Sequence, residues 1–384
     1  MKPGLLLSAC ALLLTGTASA RAEAPVEFDA ELKALWRVAA CEGTDLDPRF
    51  DKAVVDAHCK DLEKILDAYR NDWLAKARPF FDQLVPKDVP KTVVYPFAGG
   101  DLMTALAVYP DLNELTTVSL ESGGDPRGID HVDKKQLEKA LAGNRRFINE
   151  LVVWNHNRTI DLGNMELSPL PSQLIFALIG LHVLGYEPVG LHAITLEADG
   201  SVRGLGATDI AGFDKEAAKL SGSSKNKRLN TLFSNYELRF RKKGSTEVHT
   251  YRHFMVNLSD KELAADPRLM KHLEAKGRIS AMTKAASHLL WHGAFSTIRE
   301  YLKAHMVWMV SDSTGINPMH LDPAKFEQTT YGSFDVAIFN PTAAGQKALK
   351  ALFDSEPKRA LPMKFFGYPT KLVKGFLMVT VPKG

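Results

Sequence analysis

Thr92-Val93-Val94-Tyr95-Pro96-Phe97, then Ala98-Gly99-Gly100, then Asp101-Leu102-Met103-Thr104-Ala105-Leu106-Ala107-Val108, closed by Pro110 and followed by Glu114-Leu115-Thr116-Thr117-Val118-Ser119-Leu120, is the stretch on which the fold turns. Its β-branched and aromatic ends read as two short strands. The glycine pair permits a tight turn, Asp101 offers a helix N-cap, the apolar run behind it reads as a short helix, and Pro110 stops that helix. Strand, glycine turn, helix and strand make one half of a doubly wound sheet.

Further β-like runs lie at 190–196, 236–241, 248–258, 306–311 and 376–381, with helical patterns at 134–151, 171–184, 266–275, 280–292, 295–303 and 343–354. Alternation on this scale predicts an α/β fold with a Rossmann-like mixed sheet. Lys243-Gly244-Ser245-Thr246 predicts an antiparallel β-hairpin appended to it, and Ser221-Gly222-Ser223-Ser224 a flexible loop. Ahead of the sheet, 28–40 and 50–77 read as a helical hairpin. The expected division is a leader over 1–22, a helical hairpin over 23–89 and an α/β domain over 90–384, with no internal repeat.

The leader combines Lys2, an apolar run from Leu5 to Leu14, and small residues around Ala18-Ser19-Ala20-Arg21-Ala22. This predicts a signal peptide cut after Ala20 or Ala22, and hence a periplasmic or secreted bacterial-type protein. Lipidation at Cys10, within Leu7-Ser8-Ala9-Cys10, is the competing reading, although most of the apolar run follows that cysteine. Export argues against chemistry that consumes nicotinamide, S-adenosylmethionine or ATP. Cleavage after Ala22 removes the cations Lys2 and Arg21 and lowers the formal charge from +3 to +1. A near-neutral chain gives no case for nucleic acid or an anionic membrane as partner. The basic residues Lys225, Lys227, Arg228, Arg239, Arg241, Lys242 and Lys243 read as a solvated loop and a protected hairpin edge. No later segment reads as membrane-spanning; 174–184, interrupted by Gly180 and His182, reads as a buried helix. Cys41 and Cys59, the two cysteines left after cleavage, predict a disulfide at the bend of the helical hairpin.

Three stretches together, Val94 to Ser122, Val310-Ser311-Asp312-Ser313-Thr314-Gly315-Ile316-Asn317 and Tyr331-Gly332-Ser333-Phe334, resemble a family of exported bacterial proteins of unknown activity. That family's first motif carries Gly-Pro-Asp where this chain has Gly99-Gly100-Asp101. Its later motif reads Asp-Ser-Gly-Ile-Pro, whereas here Thr314 precedes the glycine and Asn317 replaces the proline. The glycine turn with an acidic strand end also looks like a degenerate methyltransferase-type Rossmann sheet. Both resemblances imply a fold and no chemistry.

The motifs are thin. Tyr95 to Leu102 sits between strand and helix as a nucleotide loop would, with Glu121 about where a ribose-binding acid belongs, yet GxGxxG and a Walker lysine are missing. On a helix, His288 and His292 would share one face, but Leu289 stands where a zinc protease has glutamate. His249, Tyr251 and His253 would share a strand face. Asp312-Ser313-Thr314-Gly315 is one residue too long for an aspartic-protease loop and has no second copy. No GxSxG elbow occurs. Asn157 and Asn257 begin glycosylation sequons by pattern alone.

One geometric expectation remains. Asp101, Glu121 and Asp312 each follow a candidate strand, and parallel neighbouring strands would bring them to one rim, where clustered carboxylates could do acid–base work. Otherwise Asp101 is a cap, Glu121 a solvated strand end and Asp312 a turn residue. The leading reading is a non-catalytic binding or envelope-associated protein on a Rossmann-like scaffold, with no cofactor and an unidentified small-molecule or envelope ligand. The alternative is a cofactor-free hydrolase or lyase using Asp101, Glu121 and Asp312 as catalytic residues. Oligomeric state is left open.

Overall fold

The computed structural model describes residues 23–152, 167–312, 315–334, 342–364 and 375–383. The leader, Cys10, the Asn157 sequon, Ser313 and Thr314 lie outside the described residues. The architecture is α/β, with ten strands in one mixed sheet: β1 (Thr92–Pro96), β2 (Glu114–Ser119), β3 (Tyr186–Leu196), β4 (Val202–Gly204), β5 (Tyr236–Lys242), β6 (Val248–Met255), β7 (Ile279–Thr283), β8 (Met306–Ser311), β9 (Phe326–Gly332) and β10 (Phe376–Pro382). Their order is β4-β3-β5-β6-β2-β1-β7-β8-β10-β9. The five central strands β6, β2, β1, β7 and β8 run parallel, and the strands outside them pair antiparallel.

Side chains alternate across this sheet, so each strand feeds two cores. Val93 and Tyr95 of β1 join Met282 of β7 and the helix Leu102–Val108 on one face; Val94 and Ala281 join Ile298 and Leu302 of the helix Ser296–His305 on the other. The β1-to-β2 crossover therefore covers one face and the β7-to-β8 crossover the opposite face. Where connections part like this, between β1 and β7, an open α/β sheet has its crevice.

The first face is closed by Ser172–Leu184 and by the N-terminal helices Asp29–Val38, Lys52–Ala68 and Ala75–Leu84. Ser172–Leu184 is apolar around most of its circumference because most of it is buried. Gly180 lets it approach Leu102–Val108, since a Cβ there would lie 3.1 Å from Met103 Cβ. Cys41 and Cys59 are bridged, with Cα atoms 5.5 Å apart. Next to the bridge, His58 Nδ1 meets Arg145 Nη1 at 2.9 Å and Nε2 meets the Ala39 carbonyl at 2.9 Å. Arginine can only donate, so Nδ1 accepts and Nε2 carries the proton. Burial pushes this imidazole down to about 4, which fits a neutral ring pinning three helices together.

Several expectations need correction. Residues 280–292 are not a helix: Ile279–Thr283 is the strand β7 and Ala285–Trp291 a 3-10 segment. Every residue of β7 is buried, so the alternation that marks a strand is lost. The 266–275 helix is present as Arg268–Glu274, and a further short helix, Asp260–Ala265, precedes it where none was expected. Ser221-Gly222-Ser223-Ser224 opens the helix Gly222–Leu232 instead of remaining a loop. The hairpin of β5 and β6 is antiparallel as expected, and it is continuous with the core because β6 pairs parallel with β2. Arg239 and Arg241 therefore do not protect an edge: β5 lies between β3 and β6, and the two guanidiniums pair with Glu27 and Glu187.

Candidate functional site at the carboxyl ends of the parallel strands

Asp101 begins the helix after β1. Its Oδ1 accepts from the Thr104 N–H at 3.1 Å, while Oδ2 accepts from Lys284 Nζ at 2.8 Å and from Tyr95 OH at 3.3 Å. Lys284 is the first residue beyond β7, and its ammonium also donates to Thr104 Oγ1 at 3.1 Å. Asp101 and Lys284 are both 3% exposed. A desolvated ion pair thus spans the crevice between β1 and β7. The turn that delivers Asp101 is tightly wound: Phe97, Gly99 and Gly100 all have positive φ, at 59°, 55° and 80°. In a nucleotide-binding sheet such glycines let a phosphate approach the backbone. Here Gln173 approaches instead, its Oε1 lying 1.8 Å from where a Cβ on Gly100 would be. Gln173 is 4% exposed, and among the described residues its Oε1 has no hydrogen-bond partner.

Asp312 follows β8 and is buried. Burial, then Asp101, then Asp312 push the Tyr95 phenol well above its ordinary range, which places both carboxylates in the field of one hydroxyl. They are not on adjacent strands, because β7 separates β1 from β8 and interposes Lys284 between them. Glu121, beyond β2, is 5% exposed and so is no solvated strand end. Its carbonyl accepts from His253 Nε2 at 2.8 Å, and Thr117 Oγ1 contacts both His253 Nδ1 at 3.1 Å and Tyr251 OH at 2.9 Å. Because a carbonyl can only accept, His253 keeps its proton on Nε2 and Nδ1 accepts from Thr117. Burial holds this imidazole at about 4 and raises the Tyr251 phenol to about 12. The three acids thus share one end of the sheet, with Asp101 and Asp312 about Tyr95 and Glu121 tied by its backbone to His253.

The histidine patterns resolve into packing. His288 lies in the 3-10 segment and His292 at its end, with rings edge-on and centroids 6.4 Å apart. Three residues per turn, not 3.6, removes the shared face that metal ligation needs. Among the described residues no group of three His, Cys, Asp or Glu side chains is placed to hold a metal. His249 and His253 do share a strand face, where they pack on Phe240 and Tyr236 across the hairpin, at 5.3 and 5.5 Å between centroids.

Sequence reasoning missed Lys284 and Gln173. A lysine directly after the uninterrupted run Ile279-Ser280-Ala281-Met282-Thr283 is a signal for the first, since it marks a strand end once that run is read as a strand. Gln173, in the first turn of an otherwise apolar helix, stands out only by its polarity.

No family model matches the chain, no curated protein matches it, and no solved structure matches it. Among the described residues no helix is long and apolar enough to cross a membrane.

Proposed function

We propose that the chain is an exported, non-catalytic binding protein built on a Rossmann-like scaffold whose nucleotide cradle is filled by its own side chains. The Gly100–Gln173 contact carries this reading: the space in which a phosphate would meet the glycine turn is taken by an amide side chain of the same molecule. Lys284 acts in the same direction, since it, Tyr95 and the Thr104 N–H occupy both oxygens of Asp101. The cofactor-free hydrolase or lyase reading needs those oxygens for a reacting proton. Export follows from the leader and is compatible with the Cys41–Cys59 bridge.

Titrating the purified protein with NAD, ATP and S-adenosylmethionine, read by thermal shift and calorimetry, tests the reading. Neither a rise in melting temperature nor heat of binding is expected, and micromolar binding of any of the three overturns it. Turnover of an ester, peptide or glycoside substrate that disappears in Asp312→Asn restores the hydrolase reading. Mass spectrometry of exported material should give an amino terminus at Arg21 or Glu23; an intact Met1 contradicts export.

A further inference from the structure

At the opposite end of β1 from the ion pair lies a half-open cavity of about 460 Å³, within the range of small-molecule sites. It forms where the segment from Val85 to Lys91, linking the helix Ala75–Leu84 to β1, spans the end of the helix Leu102–Val108. Its inner wall is apolar, made by Phe81, Val93, Tyr109 and Leu112, all nine-tenths or more buried.

The backbone acceptors of these walls are largely used within the protein. Pro86 O accepts from Val89 N at 3.4 Å, Pro90 O from Ser280 Oγ at 2.7 Å, Lys91 O from Asn113 N at 2.8 Å, and Pro110 O from Tyr186 OH at 2.7 Å. Pro86, Pro90 and Pro110 have no N–H to offer. The inner wall therefore meets a ligand's body mainly with carbon, and the charged groups at the rim are side chains. Those are Asp82, Asp111, Lys87 and Lys91, two of each sign, all exposed, and none has an ion-pair partner among the described residues.

We infer that this cavity binds a small zwitterion with an apolar body, of the size of an apolar dipeptide: its ammonium is received by Asp82 or Asp111 and its carboxylate by Lys87 or Lys91. Charge of both signs around an apolar wall selects for such a molecule, because a purely apolar ligand gains nothing from the rim, while an anion or cation alone faces like charges. The inference goes beyond the binding-protein reading, which leaves the ligand's place and chemistry open. The cavity is also remote from Gly100 and Gln173, so the nucleotide titration and the experiment below fail separately.

The probes are leucyl-phenylalanine, its C-terminal amide and its N-acetyl derivative, titrated into the full mature protein by calorimetry and followed by amide NMR. Saturable binding of the free dipeptide is expected, weakened about tenfold or more by blocking either end. Lys87→Met with Lys91→Met should erase the penalty of amidation and leave that of acetylation. Val89→Trp, at a half-buried rim position, should fill the cavity and abolish binding while the melting temperature and circular dichroism stay near wild type; if that variant unfolds, Val85→Phe replaces it. The inference is overturned by no binding, by equal binding of all three probes, or by binding unchanged in a folded cavity-filling variant.

Discussion

Lys284 Nζ lies 2.8 Å from Asp101 Oδ2 where the β1-to-β2 and β7-to-β8 connections leave the sheet on opposite faces. The pair fastens two strands at the point where their connections part, and the same two connections also touch through the edge-on rings of Phe97 and Phe295, 5.8 Å apart between centroids. Its worth lies mainly in mutual dependence, because each charge is sheltered from water only while the other is present.

Breaking this pair from one side should be severe. Lys284→Met should destabilise the fold by about 3–5 kcal/mol, and adding Asp101→Asn should recover part of that loss, since the amide can still cap Thr104 N–H while no buried charge is left unmatched. Urea unfolding of both single variants and the double variant measures the coupling. Strictly additive losses would show that the two charges do not depend on each other.

Gly100→Ala should be destabilising for two separable reasons: a left-handed φ of 80° and a clash with Gln173. Combining it with Gln173→Ala removes the clash and leaves the backbone term, which is on the order of 1 kcal/mol. Calorimetric melting of the pair should thus show partial rescue. No rescue would mean that the side chain does not occupy the turn.

Acid should weaken the fold through its histidines. His58, His253 and His272 are each pushed down to about 4, chiefly by burial. A ring with a folded pKa below the unfolded value of about 6.5 contributes its stability in full above 6.5 and loses it as pH falls toward 4, because the unfolded chain takes the proton first. Unfolding free energy should be flat above pH 7 in this respect and fall below 6.5. Replacing His253 with Gln should reduce that slope by up to one proton; an unchanged slope would mean the ring is not buried neutral.

Reducing the Cys41–Cys59 bridge, or replacing both residues with Ala, should cost about 3 kcal/mol for a loop of this length. Denaturation with and without reductant measures it, and identical midpoints would show that the bridge does not constrain the unfolded chain.

How much was legible depended on whether one face of an element meets water. The β1–turn–helix–β2 unit announced itself because Gly99-Gly100, Asp101 and Pro110 are local signals with local causes. β7 did not, because a strand buried on both faces shows neither alternation nor helical spacing, and reading residues 280–292 as helix concealed the position of Lys284. Asp101, Glu121 and Asp312 could be named from their places after candidate strands. That β7 would separate β8 from β1 follows from long-range pairing, which no window of sequence contains. Gln173 escaped for the same reason: its partner is Gly100, and only the packing of two helices brings them together.

The register at the far edge carries a temporal consequence. β9 pairs with β10, which itself lies between β9 and β8. A ribosome makes residues 326–332 well before 376–382, so β9 emerges with no strand to receive it, and that side of the sheet cannot close until the later segment arrives. For the export proposed above such an order is useful, because incompleteness is written into the topology and final locking is deferred until residues 376–382 are available.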